Sequence, residues 1–120
     1  MITLETFRDL VAEEMDELPQ VFFLGLNGGV MVEEAAMPHP KRRADDLYIL
    51  GQYSTGHLGR SITLFYGSFL RMMPAASEAQ MRQKIREVLR HEFRHHLEGR
   101  SGVRDLEIED EEFLRNYLTR

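Results

Sequence analysis

A chain of 120 residues without cysteine has no disulfides, thiolate metal sites or cysteine nucleophile, so any metal must be held by His, Asp or Glu. Its 42% hydrophobic and 29% charged content suits one globular domain, 1–120, with a single core. A net charge of −5 argues against nucleic-acid binding. MITLETFRDL lacks the basic and apolar regions of a signal peptide and no run is long enough to span a membrane, so a cytoplasmic protein with no membrane partner is expected.

Residues 3 to 18 read as an amphipathic helix. Thr3 caps it, Leu4, Phe7, Val11, Met15 and Leu18 recur at spacings of three and four, and Pro19 ends it. Glu13, Glu14, Asp16 and Glu17 read as a solvated face. Gln20 to Leu26 suits a further short helix carrying Phe22 and Phe23 inward, and Asn27-Gly28-Gly29 is a turn signal. A strand is expected over 30–34, then a loop over 35–46 that contains His39 and the basic run Lys41-Arg42-Arg43. Further strands are expected over 47–53 and 60–66, joined by a turn over 54–59 that carries His57, as an antiparallel hairpin. Neither loop histidine reads as a metal ligand. Residues 67–73 lead into the loop before the longest helix.

That helix runs from Ser77, which forms a capping box with Gln80, to Glu98, with Gly99 as a left-handed stop. It contains His91-Glu92-Phe93-Arg94-His95-His96. Residues four apart lie one turn above another, so His91 and His95 point the same way and suit one Zn2+. Met81, Ile85, Val88, Leu89 and His96 share one arc, Glu92 falls in its middle, and His91, His95 and Glu98 form the neighbouring strip. A carboxylate among core-facing residues is explained by a general base beside a metal-activated water. His96 reads as a core histidine. Arg82, Arg86, Arg90 and Arg94, every fourth residue, read as a solvated outer face. A last helix is expected over 111–118, capped by Asp110. The order α, β, β, β, α, α indicates an α+β domain.

The strand RSITLFYGSF, the segment HEFRHHLE and the closing DLEIEDEEFL together resemble the small bacterial zincin-like metallopeptidase family, minimal single-domain HExxH proteins. The resemblance extends to the N-terminal helix ending in LP and to the NGG turn. It implies a zincin-like fold: a small, mainly antiparallel three-stranded sheet packed with the N-terminal helix, the long HExxH helix and a short C-terminal helix. It also implies Zn2+ as cofactor, a peptide or protein as substrate, His91 and His95 as ligands, and Glu92 as general base. The family's Gly and acidic residue follow the motif more closely than here, so Asp110, Glu98 and Asp105 compete as third ligand. The resemblance further suggests that the strand of Arg60, Ile62, Leu64 and Tyr66 is an edge that pairs with extended substrate. Tyr66, Tyr117 and Arg60 are candidates to stabilise the transition state. The alternative is a non-catalytic metal-binding or protein-interaction domain on the same fold. Oligomeric state is not legible in the sequence.

Overall fold

The computed structural model describes residues 1–41, 47–57 and 59–101, the last two without their side chains. Asp105, Asp110, Tyr117 and the helix expected over 111–118 lie outside the described residues. Helix α1 (Leu4–Asp16) is capped by Thr3, whose side chain accepts from the Thr6 N–H. A single 3-10 turn (Gln20–Phe23) replaces the expected longer helix, and Gly29, at φ +70°, opens strand β1 (Gly29–Glu33). Two short strands, β2 (Met37–Pro38) and β3 (Tyr48–Ile49), pair antiparallel. Strands β4 (Gly51–Gly56) and β5 (Gly59–Phe65) form the expected hairpin. Helix α2 (Tyr66–Met72) follows directly, and α3 (Glu78–Ser101) carries His91, His95 and His96.

The architecture is α+β, with three helices and a small mixed sheet among the described residues. The sheet order is β1-β5-β4, with β1 parallel and β4 antiparallel to β5. Three expectations are corrected. The sheet is mixed, because the chain crosses from β1 over a long excursion before β5 returns beside it in the same direction. The strand expected over 47–53 divides at Leu50, where the backbone leaves its β2 partner to join β5. And β5 is the central strand, paired on both sides, so it offers no edge to substrate.

Phe7, Leu10 and Val11 of α1, Ile62 and Leu64 of β5, Phe69 of α2, and Met81, Ile85, Leu89 and Phe93 of α3 form one cluster. Each such side chain contributes about 1.5–3 kcal/mol relative to exposure. The capping box is made as expected: the Ser77 N–H donates to Gln80 Oε1 at 2.8 Å and the Gln80 N–H to Ser77 Oγ at 3.1 Å. Gly99 does not stop the helix; its φ is not positive, and α3 continues past it to Ser101.

Charge also joins the helices. Glu14 is buried, at 4% exposure, and accepts from Arg86 Nε at 2.7 Å and from Arg82. The Arg86 hydrogen bond holds its carboxyl below the usual range against the opposing effect of burial, with Arg82 adding to the lowering. The first two arginines of the fourfold series therefore clasp α1 to α3, and Glu14 is not on a solvated face.

Candidate active site

Helix α3 supplies the chemistry because its period puts three kinds of residue on adjoining strips. Phe93 is buried against Phe23, with ring centroids 4.9 Å apart, and anchors the helix toward the Gln20–Phe23 turn. His91 and His95 are half-buried on successive turns, their rings 4.9 Å apart and nearly perpendicular at 88°. Glu92 is only 7% exposed. It fits there because Gly51 has no side chain: a Cβ at Gly51 would lie 2.7 Å from Val88 Cγ1 and 3.3 Å from Glu92 Cγ. The absence of one carbon lets β4 and α3 meet at the catalytic candidate.

His96 points the other way, into the protein, where it is fully buried. Its Nε2 lies 2.8 Å from the Leu24 carbonyl and its Nδ1 2.8 Å from Tyr53 Oη. A carbonyl only accepts, so Nε2 carries a proton; in the neutral ring Nδ1 then accepts from the Tyr53 hydroxyl. One imidazole thus ties α3 both to the segment after the 3-10 turn and to β4. The core-histidine reading describes this position.

Between α3 and β4 lies a cleft of about 680 Å³, bordered by Gly51, Tyr53, Thr55, Arg60, Glu92 and His95. Gly51 packs on Val88 and Glu92, Tyr53 bonds His96, and Thr55 faces the same cleft as Gly99, so helix and strand advance in the same direction. The outer edge of β4 has no strand partner among the described residues.

Of the four residues expected to line a substrate edge, the structure brings only Arg60 to the cleft. Ile62 and Leu64 are fully buried in the core of a central strand. Tyr66 begins α2, donates its hydroxyl proton to the Ile2 carbonyl and packs edge-on against Phe7, which commits it to the core. Gly51 and Tyr53 border the cleft unforeseen. A glycine within the strand-like run LYILGQY was the available signal, since such a glycine marks close backbone approach.

His57 is exposed at the hairpin turn. His39 accepts from the Lys41 N–H through Nδ1, and burial, with Lys41 nearby, lowers its pKa. Neither joins the α3 histidines. Zn2+ takes imidazole nitrogen and carboxylate oxygen, and the two rings on adjacent turns beside a carboxylate suit it chemically. Among the described residues no group of three His, Asp or Glu gathers to hold one ion, and Glu98 is half-buried one turn beyond His95. Asp105 and Asp110 lie outside the described residues.

A family profile described as zincin-like metallopeptidase matches residues 50–114, more than half the chain, and takes in β4, β5, α2 and α3. The chain belongs to the zincin-like metallopeptidase family. A second comparison agrees with this zincin-like protein's fold. The solved structure of a conserved hypothetical protein from T. thermophilus superposes with a TM-score of 0.71 at 37% identity, covering 83% of this chain and 98% of that one. No curated protein matches. No helix among the described residues of this zincin-like protein is long and apolar enough to cross a membrane.

Proposed function

We propose that this zincin-like protein is a zinc-dependent peptidase whose general base is Glu92. The observation that carries the reading is the cleft in which Glu92 and His95 face β4, a strand with one edge open among the described residues. His91 and His95 would hold the ion, with Asp110, Glu98 or Asp105 as third ligand. Bound there, Zn2+ would polarise the scissile carbonyl and acidify water.

The chain's own residues do the rest. The outer N–H and C=O groups of β4 hold an extended peptide by strand addition, the role expected of β5 and moved here to its neighbour. Glu92, fixed by its packing on Gly51, takes the proton from the attacking water on a carboxylate oxygen and delivers it to the leaving nitrogen. Its low exposure keeps bulk water from competing for that proton.

The test is Glu92→Gln beside wild type, both supplied with zinc, on a mixed peptide library read by mass spectrometry. Wild type should cut at defined bonds. Glu92→Gln should keep its fold and zinc while turnover falls by at least about 10²-fold, the lower end of general-base contributions. Equal cleavage by both proteins removes Glu92 from the mechanism. Zinc binding without cleavage by wild type leaves the non-catalytic alternative.

A further inference from the structure

We propose that Arg60 reads a carboxylate on the peptide bound in this cleft, so that the substrates are peptides with an acidic side chain or a free C-terminal carboxylate a few residues from the bond cleaved. The inference deepens the peptidase reading and rests on it for the identity of the ligand as a peptide.

Position comes first. Alternate residues of a strand face the same side, and Ile62 and Leu64 face the core. Arg60 continues that side beyond the end of the core, where it is half-buried and borders the cleft with Glu92 and His95. Gly51, which packs on Glu92, pairs with Leu64, whereas Arg60 pairs with Thr55. Four strand residues span about 13 Å at about 3.3 Å each. Arg60 therefore serves a group a few residues along an extended peptide from the reacting bond, not the reacting carbonyl itself.

Its backbone is held on both sides. The Arg60 N–H donates to Asn27 Oδ1 at 2.9 Å, and its carbonyl accepts from the Gly28 N–H at 2.8 Å. Gly59, at φ +122°, leaves room for the Asn27 side chain, and a Cβ at Gly28 would lie 2.9 Å from the Arg60 oxygen. The turn beginning at Asn27 thus fits closely around this one residue.

The guanidinium is a different matter. Arg82 and Arg86 each have a carboxylate partner, but Arg60 has no ion pair among the described residues. A fixed backbone, a planar fork of donors and no carboxylate partner among the described residues suit capture of one from outside.

The test uses full-length Glu92→Gln protein supplied with zinc, and fluorescein-labelled octapeptides of alanine and serine read by anisotropy. One series is C-terminally amidated with a single Glu moved through each position. A second moves a single Lys, and two neutral controls end in an amide or a free carboxylate.

The expected result is binding about ten- to hundred-fold tighter for Glu at one or two adjacent positions, or for the free carboxylate, than for the neutral amide. The first outcome identifies a side chain as the source and the second identifies the chain terminus. Either preference should vanish in an added Arg60→Gln, and Arg60→Glu should favour the Lys series, with melting temperatures near that of the parent. Equal binding of acidic and neutral peptides, no binding by any, or a preference that survives Arg60→Gln overturns the proposal. Cleavage by wild type separates the two readings. Cutting acidic and neutral peptides equally well would sink the role of Arg60 alone. Arg60-dependent binding with no cleavage would sink the peptidase alone.

Discussion

Gly51→Ala places a methyl group where β4 and α3 touch. The new Cβ would lie 2.7 Å from Val88 Cγ1 and 3.1 Å from Leu64 Cδ2. Carbon atoms prefer about 3.5–4.0 Å, so the first contact is about 1 Å too close. Val88 cannot easily turn away, because a β-branched side chain has one strongly preferred rotamer in a helix. Either it leaves that rotamer or α3 moves off the strand. Overpacking of this kind costs about 1–3 kcal/mol. Reduced freedom of the unfolded chain returns about 0.4–1 kcal/mol, since Gly51 does not use a positive φ. The net loss is about 1–2 kcal/mol, or a fall in Tm of about 4–8 °C. Val88→Ala, which removes two half-buried methyls, should cost about 1 kcal/mol alone. Together the two should cost less than their sum by about 1 kcal/mol or more, because the second substitution empties the space that the first fills. Urea denaturation of all four proteins measures this. Additivity within about 0.5 kcal/mol, or wild-type stability in Gly51→Ala, would refute the packing argument.

Other perturbations test other joints. Tyr53→Phe leaves the buried Nδ1 of His96 without its hydroxyl partner and should cost about 1–3 kcal/mol in denaturant; an unchanged midpoint would mean the bond contributes nothing. Glu14→Gln should be less stable than wild type near neutral pH. Because the folded-state pKa of Glu14 is lowered, its stabilisation is fully present above the unfolded value of about 4.3 and is lost as pH falls through the folded value. The gap in Tm should therefore shrink below about pH 4, and a gap constant down to pH 2 would contradict the clasp. Elemental analysis should find near one zinc per chain in wild type and little in His95→Ala. Saturating zinc at about 100 times Kd should add about 2.7 kcal/mol of stability, removed by a chelator; zinc-independent melting would count against the site.

Helices α1 and α3 were legible because their signals are local. Thr3, the Ser77–Gln80 box and apolar residues at spacings of three and four act within a turn or two. The burial of Glu92 was legible for the same reason, since its direction follows from its place in the helical period. What escaped was set by distant partners. Whether Arg60 to Phe65 lies at an edge or in the centre depends on β1 joining it in parallel, and nothing within the strand itself records that neighbour. Helix α2 escaped because its Gly67 and short length weaken the local signal. Its place is set instead by Ser68 Oγ accepting from the Met37 N–H, and by a glycine whose Cβ would strike the Ala36 backbone. Glu14 looked solvated because its partners Arg82 and Arg86 lie some 70 residues away in the chain.

The shared direction of α3 and β4 gives the cleft a common gauge. Two strand residues advance about 6.6 Å and four helix residues about 6 Å, so one step of each keeps Gly51 with Glu92 and Tyr53 with His96. The tolerance of this region to changes in length should then depend on parity. One residue inserted between Gly51 and Tyr53 turns every later side chain of β4 to the opposite face and parts Tyr53 from His96. Two residues leave the faces intact and can be absorbed by a slip of one helical turn. Descendants of this chain should therefore lengthen or shorten the strand in pairs and confine odd changes to the hairpin beyond Gly56.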